Sequence, residues 1–210
     1  MLTKQLLDTT RGRIVTLLQA KSLTIDELAT ELSLTSNAVR AQLMAMQRDG
    51  LVHRSGSRPG TTRPSHVFEL TIEAENLLSR AYIPLLNQLV QTFANSLPTE
   101  QLKSLLRQSG KALGDELLAG RRPTGTLRSR VELASRLLND QLGALTRVEK
   151  NGGFAIRGVG CPLSALTGKH HGVCLAMESL VSEVVGAPTH ECCVRDGRPR
   201  CCFKISDGGA

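Results

Sequence analysis

The chain has 210 residues, of which 40% are hydrophobic and 21% charged, a balance that suits one large or two small folded domains and excludes a disordered or fibrous protein. No apolar run approaches the ~18 residues that cross a bilayer, and the opening MLTKQLLDTTRGR lacks the apolar stretch and cleavage site of a secretory signal, so a soluble, cytoplasmic protein without a membrane partner is expected. Lys and Arg number 26 against 19 Asp and Glu, a net charge of +7 that favours an anionic partner, while one Tyr, four Phe and no Trp leave few platforms for stacking single-stranded bases.

From the N-terminus, Ile14, Leu17 and Leu18 mark one apolar face, and Thr24-Ile25-Asp26-Glu27 reads as a capping box opening a second helix with Leu28 and Leu32 inward. Ser33 to Ser36 is a short turn, after which Val39, Leu43 and Met46 recur at helical spacing until Gly50. Two helices so joined predict a helix-turn-helix. Leu51 to Arg54, a basic loop from Ser55 to Pro64, and Val67 to Leu70 then read as strand, loop and strand, a wing. With Val39, Leu43 and Met46 inward, Asn37, Ala41, Met44 and Arg48 fall on the opposite face, with Arg40 beside them. Arg suits guanine O6/N7, Asn suits adenine N6/N7, and Ala41 and Met44 suit thymine methyls. Thr35 and Ser36 at the helix start, and Arg54, Arg58 and Arg63 on the wing, are expected at phosphates or in the minor groove. The expected partner is double-stranded DNA.

Residues 1–71 are thus expected to form a winged helix-turn-helix domain, 72–143 a helical linker and dimerisation region, and 144–210 a small Cys-rich α+β sensor domain. In the middle region Leu77, Leu78, Leu85, Leu86, Leu89, Val90 and Phe93 predict one long helix bent at Pro84, followed by helices carrying Leu102 to Leu113 and Val131 to Leu138. Leu-rich helices after such a head suit a homodimer. Further on, Leu145 to Glu149 and Phe154 to Arg157 flank Lys150 to Gly153 as a hairpin, Leu175 to Val185 forms a helix ended by Gly186, and His190 to Val194 with Cys201 to Ile205 flank Asp196-Gly197 as a second hairpin.

All six cysteines, Cys161, Cys174, Cys192, Cys193, Cys201 and Cys202, lie in the last 50 residues. A reducing cytoplasm discourages disulfides, so clustered thiols read first as metal or redox ligands. The runs AVRAQLMAMQRDGLV and RPGTTRPSHVFELTIEAENLL, together with CPLSALTGKHHGVC, resemble SufR-type bacterial repressors, which control iron–sulfur-cluster assembly genes, and CVRDGRPRCCFKI is similar to the terminal hairpin of vinyl-reductase-type sensor domains. The resemblance implies a DNA-binding repressor whose cluster, [4Fe–4S] or [2Fe–2S], governs operator binding.

Cys161 leaves a hairpin, Cys174 opens a helix whose dipole favours a thiolate, and Cys201 shares its strand face with Phe203 and Ile205, leaving Cys202 beside Lys204. For the fourth ligand, family spacing selects Cys193, strand alternation puts Cys192 with Val194 on the apolar side, and His190 is a third candidate. The resemblance thus implies the ligand set Cys161, Cys174, Cys193 and Cys201, while the residues themselves leave Cys192 and His190 open for the fourth place, and zinc is the alternative metal in a structural site beside a small-molecule sensor. HExxH, GxSxG and P-loop motifs are missing and the cysteines lack a catalytic partner arrangement, so no enzymatic activity is expected.

Overall fold

The computed structural model describes residues 8–59, 64–150 and 152–206. The chain is α+β and divides into two compact units, Met1–Arg80 and Ala81–Ala210, with a separate hydrophobic core in each.

The first unit is a winged helix. Helices α1 (Thr10–Ala20), α2 (Ile25–Leu32) and α3 (Ser36–Arg48) pack on a small antiparallel sheet of β1 (Leu23–Thr24), β2 (Val52–Arg58) and β3 (Ser65–Leu70), ordered β1-β3-β2, and α4 (Ile72–Leu78) follows. Ile14, Leu28, Val39, Leu43, Met46 and Phe68 fill the core. The expected capping box is present: Thr24 accepts from the Glu27 N–H and Glu27 accepts from the Thr24 N–H at 2.7 Å. Ser33 ends α2 in the left-handed region at φ 55°, which lets α3 start after so short a turn. Because Thr24 fixes both the start of α2 and its buried flank, Thr24→Ala should destabilise the winged helix by about 1–2 kcal/mol, the scale of a lost N-cap. Urea denaturation followed by hydrogen exchange in α2 checks this value.

The long helix expected across Pro84 is instead two helices, α4 and α5 (Tyr82–Ser96). Ser79 leaves the helical region at ψ 128°, and Pro84 is the third residue of α5. A helix has no partner for the N–H at that position, so proline costs no hydrogen bond there and starts a helix instead of bending one.

The second unit continues with α6 (Thr99–Leu117), α7 (Leu127–Leu142), β4 (Thr146–Lys150), β5 (Phe154–Gly158), the single-turn α8 (Ser164–Thr167), α9 (Cys174–Val185), β6 (Thr189–Glu191) and β7 (Cys202–Ile205). Its strands form an antiparallel sheet in the order β4-β5-β7-β6. Val131 and Leu138 of α7, Leu180, Val181 and Val184 of α9, and Ile156 and Phe203 of the sheet make one core. The helices of 99–142 therefore belong to the same body as the cysteine-bearing hairpin, although the sequence pattern set them apart. Helix α6 crosses α9 at glycines, Gly110 and Gly114, both buried. A Cβ on Gly110 would lie 1.9 Å from the Ala176 carbonyl oxygen.

Candidate functional site

On α3, Val39, Leu43 and Met46 are buried while Asn37, Arg40, Ala41, Met44 and Arg48 are exposed, Met44 by 59%. Thr35 caps the helix, accepting from the Ala38 N–H at 3.2 Å, and Ser36 donates to Asp26 at 2.7 Å. These two hydroxyls already serve the fold, so phosphate contacts would have to share them. On the wing, Arg54 lies over the Phe68 ring. Arg58 folds back on the body, donating to Ser22 at 2.9 Å and pairing with Glu27 at 3.2 Å. The Thr24 N–H, with help from Arg58, holds the Glu27 carboxyl below its ordinary pKa. Arg63 lies outside the described residues.

The hairpin carries the cysteines in one register. Glu191 faces Phe203 and Val194 faces Arg200, so between these pairs Cys192 stands opposite Cys202 and Cys193 opposite Cys201. Successive residues point to opposite faces of a sheet. The Cys193–Cys201 pair therefore points to the helix side, where both residues pack on the core with Val131, Leu180 and Val181, and the Cys192–Cys202 pair to the outer side. The outer pair is joined as a disulfide. The expectation that a disulfide is disfavoured, and with it Cys192 as a candidate fourth ligand, is corrected here: two half-strands held 4.8 Å apart at Cα leave this pair at bonding distance. Cys192 and Val194 do share a face, but it is the outer one, with Val194 38% exposed. Cys202 shares the face of Lys204 as alternation requires, yet is buried.

The unbonded cysteines are Cys161, Cys174, Cys193 and Cys201, and they meet. The Gly158 N–H donates to the Cys201 carbonyl at 2.9 Å and the Cys201 N–H donates to the Gly160 carbonyl at 3.2 Å, which brings Cys161 against Cys201. The Cys201 thiol donates toward Cys161 and Cys193, and the Cys174 thiol donates toward Cys193. These bonds, first that from Cys201, pull the Cys161 thiol down to about 6. Cys193 falls to about 2, through Cys174, Cys201 and the Cys202 N–H that reaches its sulfur at 3.3 Å. The donors Cys174 and Cys201 are raised, by giving those bonds and by burial. A helix dipole favours a thiolate at Cys174, but one proton shared between neighbouring sulfurs stays on the more buried donor. His190 is exposed on the outer face opposite Lys204, away from the thiols.

Two residues outside the sequence expectation join the site. Glu191 lies with Cys174 and Cys193 so that the donor atoms are within 4.8 Å of one another, and its carboxylate accepts from the Cys193 N–H and pairs with Arg195. Thr167 places a buried hydroxyl, without a hydrogen-bond partner of good geometry, close enough to Cys161 to lower its pKa. Strand parity was the available signal for Glu191, since it stands two residues from Cys193. Nothing in the sequence marks Thr167.

Residues 3–57 match the family described as the DprA winged helix domain. No curated protein matches the chain. Among solved structures, a mutant of Lactococcus lactis ZitR in apo form aligns with 21% identity over 49% of this chain and 77% of that one, at a TM-score of 0.30. A MepR mutant from a multidrug-resistant S. aureus clinical isolate aligns with 21% identity over 49% of this chain and 80% of that one, at 0.31. A second S. aureus MepR mutant aligns with 23% identity over 49% and 75%, at 0.30.

Proposed function

We propose that the chain is a homodimeric DNA-binding transcriptional repressor that reads iron–sulfur or redox status through Cys161, Cys174, Cys193 and Cys201. The observation that carries this reading is that the four cysteines left unbonded converge from a loop, a helix start and both arms of a hairpin in a chain whose other unit is a winged helix. The donor set fits an iron–sulfur cluster: the Cys161 and Cys193 thiols, of lowered pKa, are ready to ligate, Cys174 and Cys201 would give up their protons on binding, and the buried Thr167 hydroxyl and the Cys202 N–H can donate to ligand sulfurs. When bound, such a cluster supplies electron transfer and sensitivity to oxidants or iron supply. The protein's own part is mechanical: its four sulfurs tie the hairpin to the start of α9, and α9 packs on α6. Absorption spectra and iron analysis of anaerobically purified protein test the reading, with thiolate-to-iron bands expected. A colourless protein with one zinc would support the rival, a structural zinc centre, which the compact grouping of Cys174, Glu191 and Cys193 also favours.

DNA binding is assigned to the exposed face of α3. Arg40→Ala should weaken specific duplex binding by about 1–3 kcal/mol, the worth of a bidentate base contact, measured by a salt-controlled titration against a duplex selected from a random pool. Equal affinity of variant and parent would reject this helix face.

The homodimer is assigned to α5. Its sequence, YIPLLNQLVQTFANS, has no charged residue, and Leu85, Leu86, Leu89 and Phe93 are exposed. A second copy covers such a face without burying an unpaired charge. Leu86→Glu combined with Leu89→Glu should convert the dimer to monomer in light scattering, and an unaltered mass would place the interface elsewhere.

A further inference from the structure

The outer face of the second sheet carries a group that the thiol site does not use. Arg147 stands directly opposite Arg157, and Arg157 directly opposite Cys202. Arg200, two residues before Cys202, falls on the same face. The three arginines line a cavity of about 310 Å³ together with Gly158, Val159, Val194, Cys201 and Cys202.

Like charges directly opposite each other destabilise a sheet. Glu149 is the carboxylate that pairs with Arg147 and Arg157, at 3.0 and 2.8 Å. Arg200 has no ion pair among the described residues. Three guanidiniums against one carboxylate leave about two positive charges around a pocket whose volume is at the small end of ligand sites, about 300–1,000 Å³. Val159 and Val194 add an apolar wall, exposed by 53% and 38%. Planar, forked donors of this kind match carboxylate and phosphate oxygens.

We propose that this cavity is a binding site for a small dianion, a dicarboxylate or a phosphate, held by Arg147, Arg157 and Arg200. The three arginines lie on the face of the strands opposite the Cys193 and Cys201 thiols, so they need nothing that those thiols hold, although Cys201 itself contributes to the cavity lining. Its floor is the disulfide-bonded hairpin, so a bound anion touches the segment that also positions Cys201.

Isothermal titration calorimetry on the full chain at low ionic strength, with inorganic phosphate and separately with succinate, tests the proposal. Saturable one-to-one binding of either probe is expected, and the probe bound more tightly tells phosphate from carboxylate. Arg200→Gln should weaken binding by at least about tenfold, the scale of one lost charge-assisted hydrogen bond, and Arg157→Gln should do the same. Arg121→Gln, an exposed arginine outside the cavity, should leave the affinity unchanged. Circular dichroism melting confirms that each variant is folded. Absence of saturable binding by both probes would overturn the proposal, and so would an equal loss in Arg121→Gln, which would mean adsorption to the overall positive charge.

Discussion

Replacing Gly110 with valine is expected to unfold the second unit while leaving the winged helix intact. The atoms that a Cβ would meet at Gly110 are all backbone atoms of Ala176, at 1.9, 2.7 and 2.8 Å, so no rotamer change can relieve the clash. Overpacking a core commonly costs about 1–3 kcal/mol and more where backbone must move, a large part of the ~5–15 kcal/mol that holds a typical domain. Separate cores in the two units let one fail alone. Limited proteolysis with mass spectrometry should show rapid cleavage after residue 81 and a protected head. Even Gly110→Ala should lower the melting temperature measurably. A valine variant that melts like the parent would contradict the close crossing of α6 and α9.

Cys201→Ser is expected to lose the proposed iron–sulfur centre. This sulfur is the junction of the thiol chain, donating toward both Cys161 and Cys193, and serine keeps its shape while removing a soft ligand. Outer-sphere partners of metal ligands alone are worth about 10–100-fold in affinity, and a ligand itself should cost at least as much. Iron and acid-labile sulfide per chain, after anaerobic reconstitution, should fall accordingly. Cys192→Ser opens the disulfide on the other face and should retain iron. The reverse pattern, iron kept without Cys201 and lost without Cys192, would move the ligand set to the outer pair.

The head was legible because its signals are local. Thr24 and Glu27 form a capping box within four positions, and Val39, Leu43 and Met46 repeat at helical spacing, so the exposed side of α3 followed from the buried one. The break before Tyr82 was hidden because the leucine pattern runs on through it, and a proline in the first turn looks the same as one that bends a helix. In the hairpin, alternation correctly kept Cys192 with Val194 but could not say which face was buried, since that depends on α9 lying over the other side. The Cys192–Cys202 bond and the nearness of Glu191 to Cys174 are tertiary facts that no spacing encodes. Gly110 and Gly114 are one helical turn apart, a spacing that marks a close crossing only once α9 is known to be there.

If the proposed function holds, the state of the thiol site changes the affinity for DNA, since a signal that both states bind equally shifts no equilibrium. The direct measurement is anaerobic fluorescence anisotropy of one duplex, selected by the full chain, against the iron-loaded protein and against the same preparation after chelation. Tighter binding by the loaded form is expected, within the ~5–150-fold range usual for coupled sites. Equal affinity of the two forms, with iron analysis confirming loading and removal, would contradict it.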